Sequence, residues 1–246
     1  MAVESKLGGT KTKSMMRSTR DLVESLVVAL IMALIIKTSI VEAYKIPSGS
    51  MEDTLLVGDF LLANKFVYGM KLPIPFTNIK LPAIDDPKPG DIIIFKYPRD
   101  QKINYIKRCV AVEGQTVEVR NKDLYIDGKL VPLPPDGKHI DDRVIPCQQN
   151  MYGGLRDNMP PIVVPDGYVF AMGDNRDNSQ DSRFWGFLDK RLVMGRALMI
   201  HWSWAPDPNS PEISVNKFFS IVEWFGYNIW HFPSRVRWER LAEIIV

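Results

Sequence analysis

The chain opens on one long apolar run and continues as many short ones. The long run, SLVVALIMALII (25–36), has twelve residues, and stretching it from Leu22 to Val41 gives twenty while taking in Glu24 and Lys37. Twenty apolar residues let a helix cross the hydrocarbon core, and both charges lie near enough to an end to snorkel. Lys6, Lys11, Lys13, Arg17 and Arg20 precede the run, against Glu4 and Asp21. A basic lead of this kind keeps the N-terminus cytoplasmic and sends the downstream chain across the membrane. The competing reading is a removable signal peptide, cleaved after the small residue of VEA (41–43). The spanning length favours a retained anchor. The expected organisation is a cytoplasmic stretch (1–21), a single transmembrane helix (22–41) and an extracytoplasmic domain (42–246).

Beyond Tyr44 the apolar positions come in short stretches closed by turn formers. DFLLANKFVYG, DIIIFKYP, NYIKRCVAVEG, QTVEVRN, DLYIDGKLV, GYVFAMGD and GRALMIHWSW each read as a strand. They are filled with Val, Ile, Tyr and Phe, the pattern of an all-β domain. The Asp-Gly of IDGK (126–129) predicts a tight hairpin. The proline-rich stretch 132–165 breaks the rhythm and reads as an excursion, part of a small cap-like insertion drawn from about 121 to 165. Helical spacing returns only faintly, in the last 25 residues. The fold class expected is therefore mainly β, behind one N-terminal membrane helix.

Composition changes this picture little. Hydrophobic residues make up 46% and charged ones 24%, which is ordinary for a globular chain. A net charge of +2 offers no electrostatic footprint for nucleic acid. Cys109 and Cys147 are too few and too far apart for a Cys-rich zinc site, and a bridge between them stays open. His139, His201 and His231 show no metal-ligand spacing, so neither metal nor cofactor is expected.

Three polar islands carry the candidate chemistry: IPSGSM (46–51), YIKRCV (105–110) and GDNRDNSQDSRFWG (173–186). Pro, Ser and Gly in the first are the makings of an ordinary loop. Lys107 in the second sits in a strand whose faces both look apolar, with Tyr105, Cys109 and Ala111 on its side and Ile106, Val110 and Val112 opposite. Burial on both sides penalises the charged lysine and makes it available as a general base, and a serine hydroxyl needs such a base. A surface charge is the plainer alternative. In the third island, DNSQD suggests a calcium loop, but Ser182 and Leu188 stand where an EF-hand needs Gly and Glu. Ion pairs among Asp174, Arg176, Asp181 and Arg183 bracing a loop fit better.

Taken in order, the islands resemble type I signal peptidase, the membrane-bound serine peptidase family that removes signal peptides. PSGSM resembles its nucleophile box, YIKR its base box, and GDNRDNSQDSRFWG its longest box; GDFLLANKFVYG and GDIIIFKYP resemble two more. The resemblance implies Ser50 as nucleophile, Lys107 as general base, Ser48 as donor to the oxyanion beside the Ser50 amide, and Ser179 as the hydroxyl orienting the lysine. It implies Asp181 with Arg183 as a bracing pair, and Gly173, Asp174 and Arg176 as the rigid core of that loop. In an extended chain Ser48 and Ser50 point the same way and can face one carbonyl, with Gly49 leaving room for the substrate backbone. Small side chains before the cut, as in Ala-X-Ala, are the implied specificity, with Ile46, Met51, Tyr105 and Ile106 at groove-lining positions or simply in the core. One departure stands out: Asp53 occupies a position where the family usually has proline. Trp202, Trp204, Trp224, Tyr227 and Trp230 suit either a lipid surface or a core.

The expected partners are signal peptides and the lipid bilayer, the chain being a monomer in the cytoplasmic membrane. A self-cleaving Ser–Lys regulator would carry a DNA-binding module in place of the apolar run. A penicillin-binding protein is excluded because SVNK (214–217) lacks its SDN and KTG companions. The alternative from another class is an inactive, membrane-tethered β domain that binds exported peptides.

Overall fold

In the computed structural model, which describes residues 20–30, 32, 41–69, 83–147, 155–211 and 219–245, the short apolar stretches become antiparallel strands. In chain order these are β1 (Val41–Lys45), β2 (Asp59–Asn64), β3 (Ile92–Tyr97), β4 (Asp100–Val112), β5 (Thr116–Arg120), β6 (Asp123–Ile126), β7 (Lys129–Val131), β8 (Met159–Val163), β9 (Tyr168–Met172), β10 (Leu188–Asp189) and β11 (Val193–Ser203). A seven-stranded sheet runs β1-β2-β11-β3-β4-β9-β10, and a four-stranded sheet runs β7-β6-β5-β8.

The central strands show why the apolar runs are unbroken. In β3, Ile92 and Ile94 enter one core cluster while Ile93 and Phe95 enter another across the sheet. Sheets covered on both faces select continuous apolar sequence over alternation. From Ile106 to Ala111 β4 is buried in the same way, which takes Lys107 and Arg108 into the interior with their neighbours. A third cluster, including Val117, Leu124, Phe170 and Met172, joins the small sheet to the large one. The mainly β expectation holds, and the Asp127-Gly128 hairpin forms with both residues at positive φ, 51° and 75°.

Three strands escaped the sequence pattern, the shortest being the two-residue β10 at the far sheet edge. Val41, the last residue of the expected anchor, already pairs with Asn64 in β1 at the sheet edge. Inside the proline-rich excursion, MPPIV forms β8; its two prolines are tolerated because β8 is an edge strand. The small sheet thus begins at Thr116 and closes at Val163.

Residues 20–30 are helical and exposed, while residue 31 and residues 33–40 of the expected anchor lie outside the described residues. No helix among the described residues is long and apolar enough to cross a membrane. Beyond the anchor, helix α1 (Ser182–Trp185) follows the loop after β9, and α2 (Ser220–Trp230) lies where the sequence shows its faint helical spacing. The bridge left open between the cysteines is not formed: Cys109 is buried and Cys147 exposed, both free.

Candidate active site

The stretch after β1 does not stay extended. Ser48 has extended backbone angles, but Gly49–Met51 makes one turn of 3-10 helix, closed by the Glu52 N–H donating to Gly49 O at 3.1 Å. The expected side-by-side arrangement of Ser48 and Ser50 is therefore replaced by a bend: Ser48 is exposed and Ser50 buried. Both still line one cavity of about 600 Å³, together with Tyr105, Ile106, Lys107 and Ser179. The same turn sends Met51 inward, where it packs with Ile46 in the core. Of the four groove-lining candidates, Tyr105 and Ile106 form cavity wall and Ile46 and Met51 do not. A Cβ at Gly49 would touch only the Glu52 side chain at ordinary distance, so nothing inside the fold forbids a side chain there.

β4 brings Lys107 to the floor of this cavity. Its Nζ is hydrogen-bonded to Ser50 Oγ at 2.6 Å and to Ile106 O at 2.8 Å, and the residue is 3% exposed. Burial pushes its pKa down to about 8, overriding the pull of the Asp181 and Asp174 carboxylates, with Arg183 acting in the same direction as burial. Near that pH about half of the amine is neutral and offers a lone pair to the serine proton.

The loop after β9 grips the serine turn from the other side. A Cβ at Gly173 would stand 2.3 Å from Ser179 Oγ and 2.4 Å from Ser50 O, so only glycine lets the loop lie this close. The Asn175 N–H donates to Ser50 O at 3.2 Å, and its side-chain amide donates to Gly49 O at 3.2 Å. Asp181 accepts from Arg183 Nε and Nη2 at 2.9 and 2.8 Å and from the Gly173 N–H at 3.1 Å. Burial works against the Asp181 charge, yet the Arg183 guanidinium holds the carboxyl below its usual range.

Other expected contacts differ. Asp174 pairs with Arg108, at 3.0 and 2.9 Å, and accepts from the Thr54 hydroxyl at 2.7 Å; it does not pair with Arg176. Arg176 is buried with its Nε unbonded. The buried Ser179 hydroxyl faces Asp181 without a well-formed hydrogen bond and makes none to Lys107. The carboxylates of DNSQD diverge, Asp177 toward Lys122 and Asp181 toward Arg183, which removes the calcium loop on structural grounds as well.

A serine on a 3-10 turn in contact with a buried lysine on β4, beside a polar loop, invites comparison with known peptidases. The profile of the family "Signal peptidase, peptidase S26" matches residues 19–202. The chain belongs to this signal peptidase family. Signal peptidase I of Pseudomonas aeruginosa is 37% identical over 214 residues, covering 75% of this chain and 74% of that one. Signal peptidase I of Aquifex aeolicus is 35% identical over 239 residues, covering 78% and 88%. A crystal structure of a signal peptidase I from Enterococcus faecalis V583 is 29% identical, with a TM-score of 0.35 over 46% of this chain and 98% of that chain.

Several residues that build the peptidase's site were not singled out in the sequence. Arg108 was visible inside YIKR, and Asn175 inside GDNRD, but neither motif says what they hold. Lys138, from the excursion, had no signal. Its ammonium pairs with Asp53 at 2.9 Å and Glu52 at 3.1 Å, its N–H donates to Asp174 O, and its carbonyl accepts from the Arg176 N–H. Asp53 has φ 76°, a conformation that proline cannot adopt. The turn at Asp53 is tied down by Lys138.

Proposed function

We propose that this peptidase removes N-terminal signal peptides from exported preproteins, cutting after Ala-X-Ala-like sites with Ser50 as nucleophile and Lys107 as general base. The observation that carries this reading is the buried Lys107 nitrogen 2.6 Å from Ser50 Oγ. Neutral Lys107 takes the hydroxyl proton as Oγ attacks the carbonyl carbon. The Ser48 hydroxyl and the Ser50 N–H hold the oxyanion; one such donor typically contributes about 10²–10³ in rate. The lysine ammonium then protonates the leaving amine, the new N-terminus of the mature protein. The signal peptide stays esterified to Ser50 until neutral Lys107 draws a proton from the attacking water. Ser179, across the cavity from Lys107, orients the lysine once substrate is bound, the Asp181–Arg183 pair braces it, and Gly173, Asp174 and Arg176 keep the loop rigid.

The apolar segment ahead of β1, residues 22–40 of the expected 22–41, anchors this monomer in the cytoplasmic membrane, with residues 1–21 inside and the domain from β1 onward outside. Ser50 lies nine residues beyond Val41, at most roughly 30 Å along an extended chain, and the extended β1 supports that span. A signal peptide is cut just beyond its own apolar core, so enzyme and cut site meet at one height. The region of about 121–165 acts as a cap on the catalytic loop, a role supported by Lys122 and the Asp141 N–H meeting Asp177. The test is mass spectrometry of an Ala-X-Ala preprotein incubated with wild type and with Lys107→Ala in lipid. A single cut after that site, absent in the variant, is expected. Equal cutting by both removes the Ser–Lys mechanism, and no cutting by either removes the peptidase reading in favour of peptide binding.

A further inference from the structure

The C-terminal helix α2 is amphipathic the wrong way round for a water-soluble domain. Asn228 and Ser220 face the body and are buried, with Tyr227 and His231 half-buried beside them. Ile221, Val222, Phe225, Ile229 and Trp230 face outward, Val222 at 64% and Trp230 at 82% exposure. The polar side is what attaches the helix: Asn228 accepts from Arg235, and the Tyr227 hydroxyl donates to Asp207 at 2.9 Å. A surface helix ordinarily turns its apolar stripe to the core. Here the five outward side chains show roughly 600 Å² of apolar surface, the upper end of what monomers leave to water.

We infer that α2 lies in the lipid interface, with its outward face immersed beside the point where the anchor enters the domain. The inference rests on the anchoring proposed above, and three observations carry it. First, Ile221 and Trp230 project roughly 70° and 110° to either side of the line through Phe225, Val222 and Ile229, so an indole that favours a membrane boundary edges the aliphatic and Phe centre on one side. Glu223, the one charged side chain on the helix, falls outside those edges. Second, Trp224 and Asn228 line a cavity of about 770 Å³ with Lys45, Phe60, Trp202 and Trp204. Lys45 closes β1, four residues after the apolar stretch delivers the chain, and its exposed ammonium suits a lipid phosphate there. Third, Pro47 is shared by this cavity and the one holding Ser50 and Lys107, so the interfacial surface adjoins the catalytic cavity. A second copy seated on α2 would cover less than the roughly 800 Å² per partner of a standard interface.

The test uses the full chain with Cys147→Ser, reconstituted into phosphatidylcholine–phosphatidylglycerol vesicles. Single nitroxide labels are placed at Phe225→Cys, at Leu30→Cys in the anchor, and at Leu130→Cys on the small sheet. Labels at 225 and 30 are expected to be relaxed by oxygen more than by a water-soluble nickel chelate, and the label at 130 the reverse. A nickel-accessible 225 with an oxygen-accessible 30 overturns the inference and leaves anchoring intact. If 30 is nickel-accessible too, the anchoring reading fails first. Spin broadening between copies at 225, or a short 225–30 distance in a doubly labelled chain, assigns the face to a second copy or to the anchor and overturns the inference. A second readout is kinetic: Phe225→Asp is expected to lower kcat/KM on a vesicle-embedded preprotein about tenfold while leaving cleavage of a short soluble peptide unchanged. Equal losses on both substrates overturn the inference.

Discussion

Gly173 is where packing and chemistry meet most closely, and Gly173→Ala tests both. The added methyl would lie 2.3 Å from Ser179 Oγ and 2.4 Å from Ser50 O, whereas ordinary contacts begin near 3.4 Å. Relieving them opens the loop from the serine turn by about 1 Å. Ser179 can rotate, but Ser50 O is backbone and is already bonded to the Asn175 N–H, so the shift passes to the nucleophile. Overpacking of this kind costs about 1–3 kcal/mol, and a misplacement near 1 Å costs about 10² in rate. The expected result is a kcat on a short peptide lowered roughly 100-fold with little change in KM, and a Tm lowered by roughly 2–10 °C. Gly226→Ala, whose methyl meets nothing within 4 Å, serves as the control, with kcat unchanged and Tm level or raised by the better helix former. A Gly173→Ala enzyme whose kcat stays within about threefold of wild type would show that this close approach does not position Ser50.

Three further predictions concern stability. Arg108→Met leaves the buried Asp174 carboxylate without its guanidinium and is expected to cost about 3–5 kcal/mol by urea denaturation; a loss below about 1 kcal/mol would mean the pair is not structurally required. Asp53→Pro, although it restores the family's usual residue, demands a φ that the turn does not have and is expected to destabilise by more than about 1 kcal/mol; a neutral or stabilising effect contradicts the turn described. Lys107→Met is expected to be inactive yet more stable at neutral pH. Lowering the lysine pKa from 10.5 to about 8 on folding costs the folded wild type about 3 kcal/mol below pH 8. The unfolded chain binds the extra proton between those values, so the variant's advantage should shrink as pH rises from 8 to 10.5. An advantage that is absent at pH 7, or that grows with pH, contradicts the buried, depressed lysine.

The sequence carried the strands well because their physics is local: β-branched runs, turn residues and an Asp-Gly pair mark them where they stand. It also carried the burial of Lys107, since apolar neighbours on both faces of one strand leave no solvent side. What it could not carry was contact across the chain. Arg108 and Asp174 are 66 residues apart in sequence, and no pattern within either motif selects that pairing over Arg176 with Asp174. β1 was hidden by its continuity with the apolar run, and β8 by prolines that only an edge position excuses. The bend between Ser48 and Ser50 was missed because PSG is compatible with extended chain and turn alike. In α2, periodicity located a helix, but which side faces the body depends on Asp207 and Arg235, which the helix itself does not contain.

The central claim is that a neutral Lys107 activates Ser50, and the most direct measurement is the pH dependence of kcat/KM on a peptide without titratable groups. The free enzyme's ionisation governs that ratio. Because the neutral amine is the active form, the rate is expected to climb about tenfold per pH unit on the acid side and to level off through a midpoint near the lysine pKa of about 8. A profile flat from neutral to alkaline pH, or one with its midpoint at an unperturbed lysine value near 10.4, would contradict it.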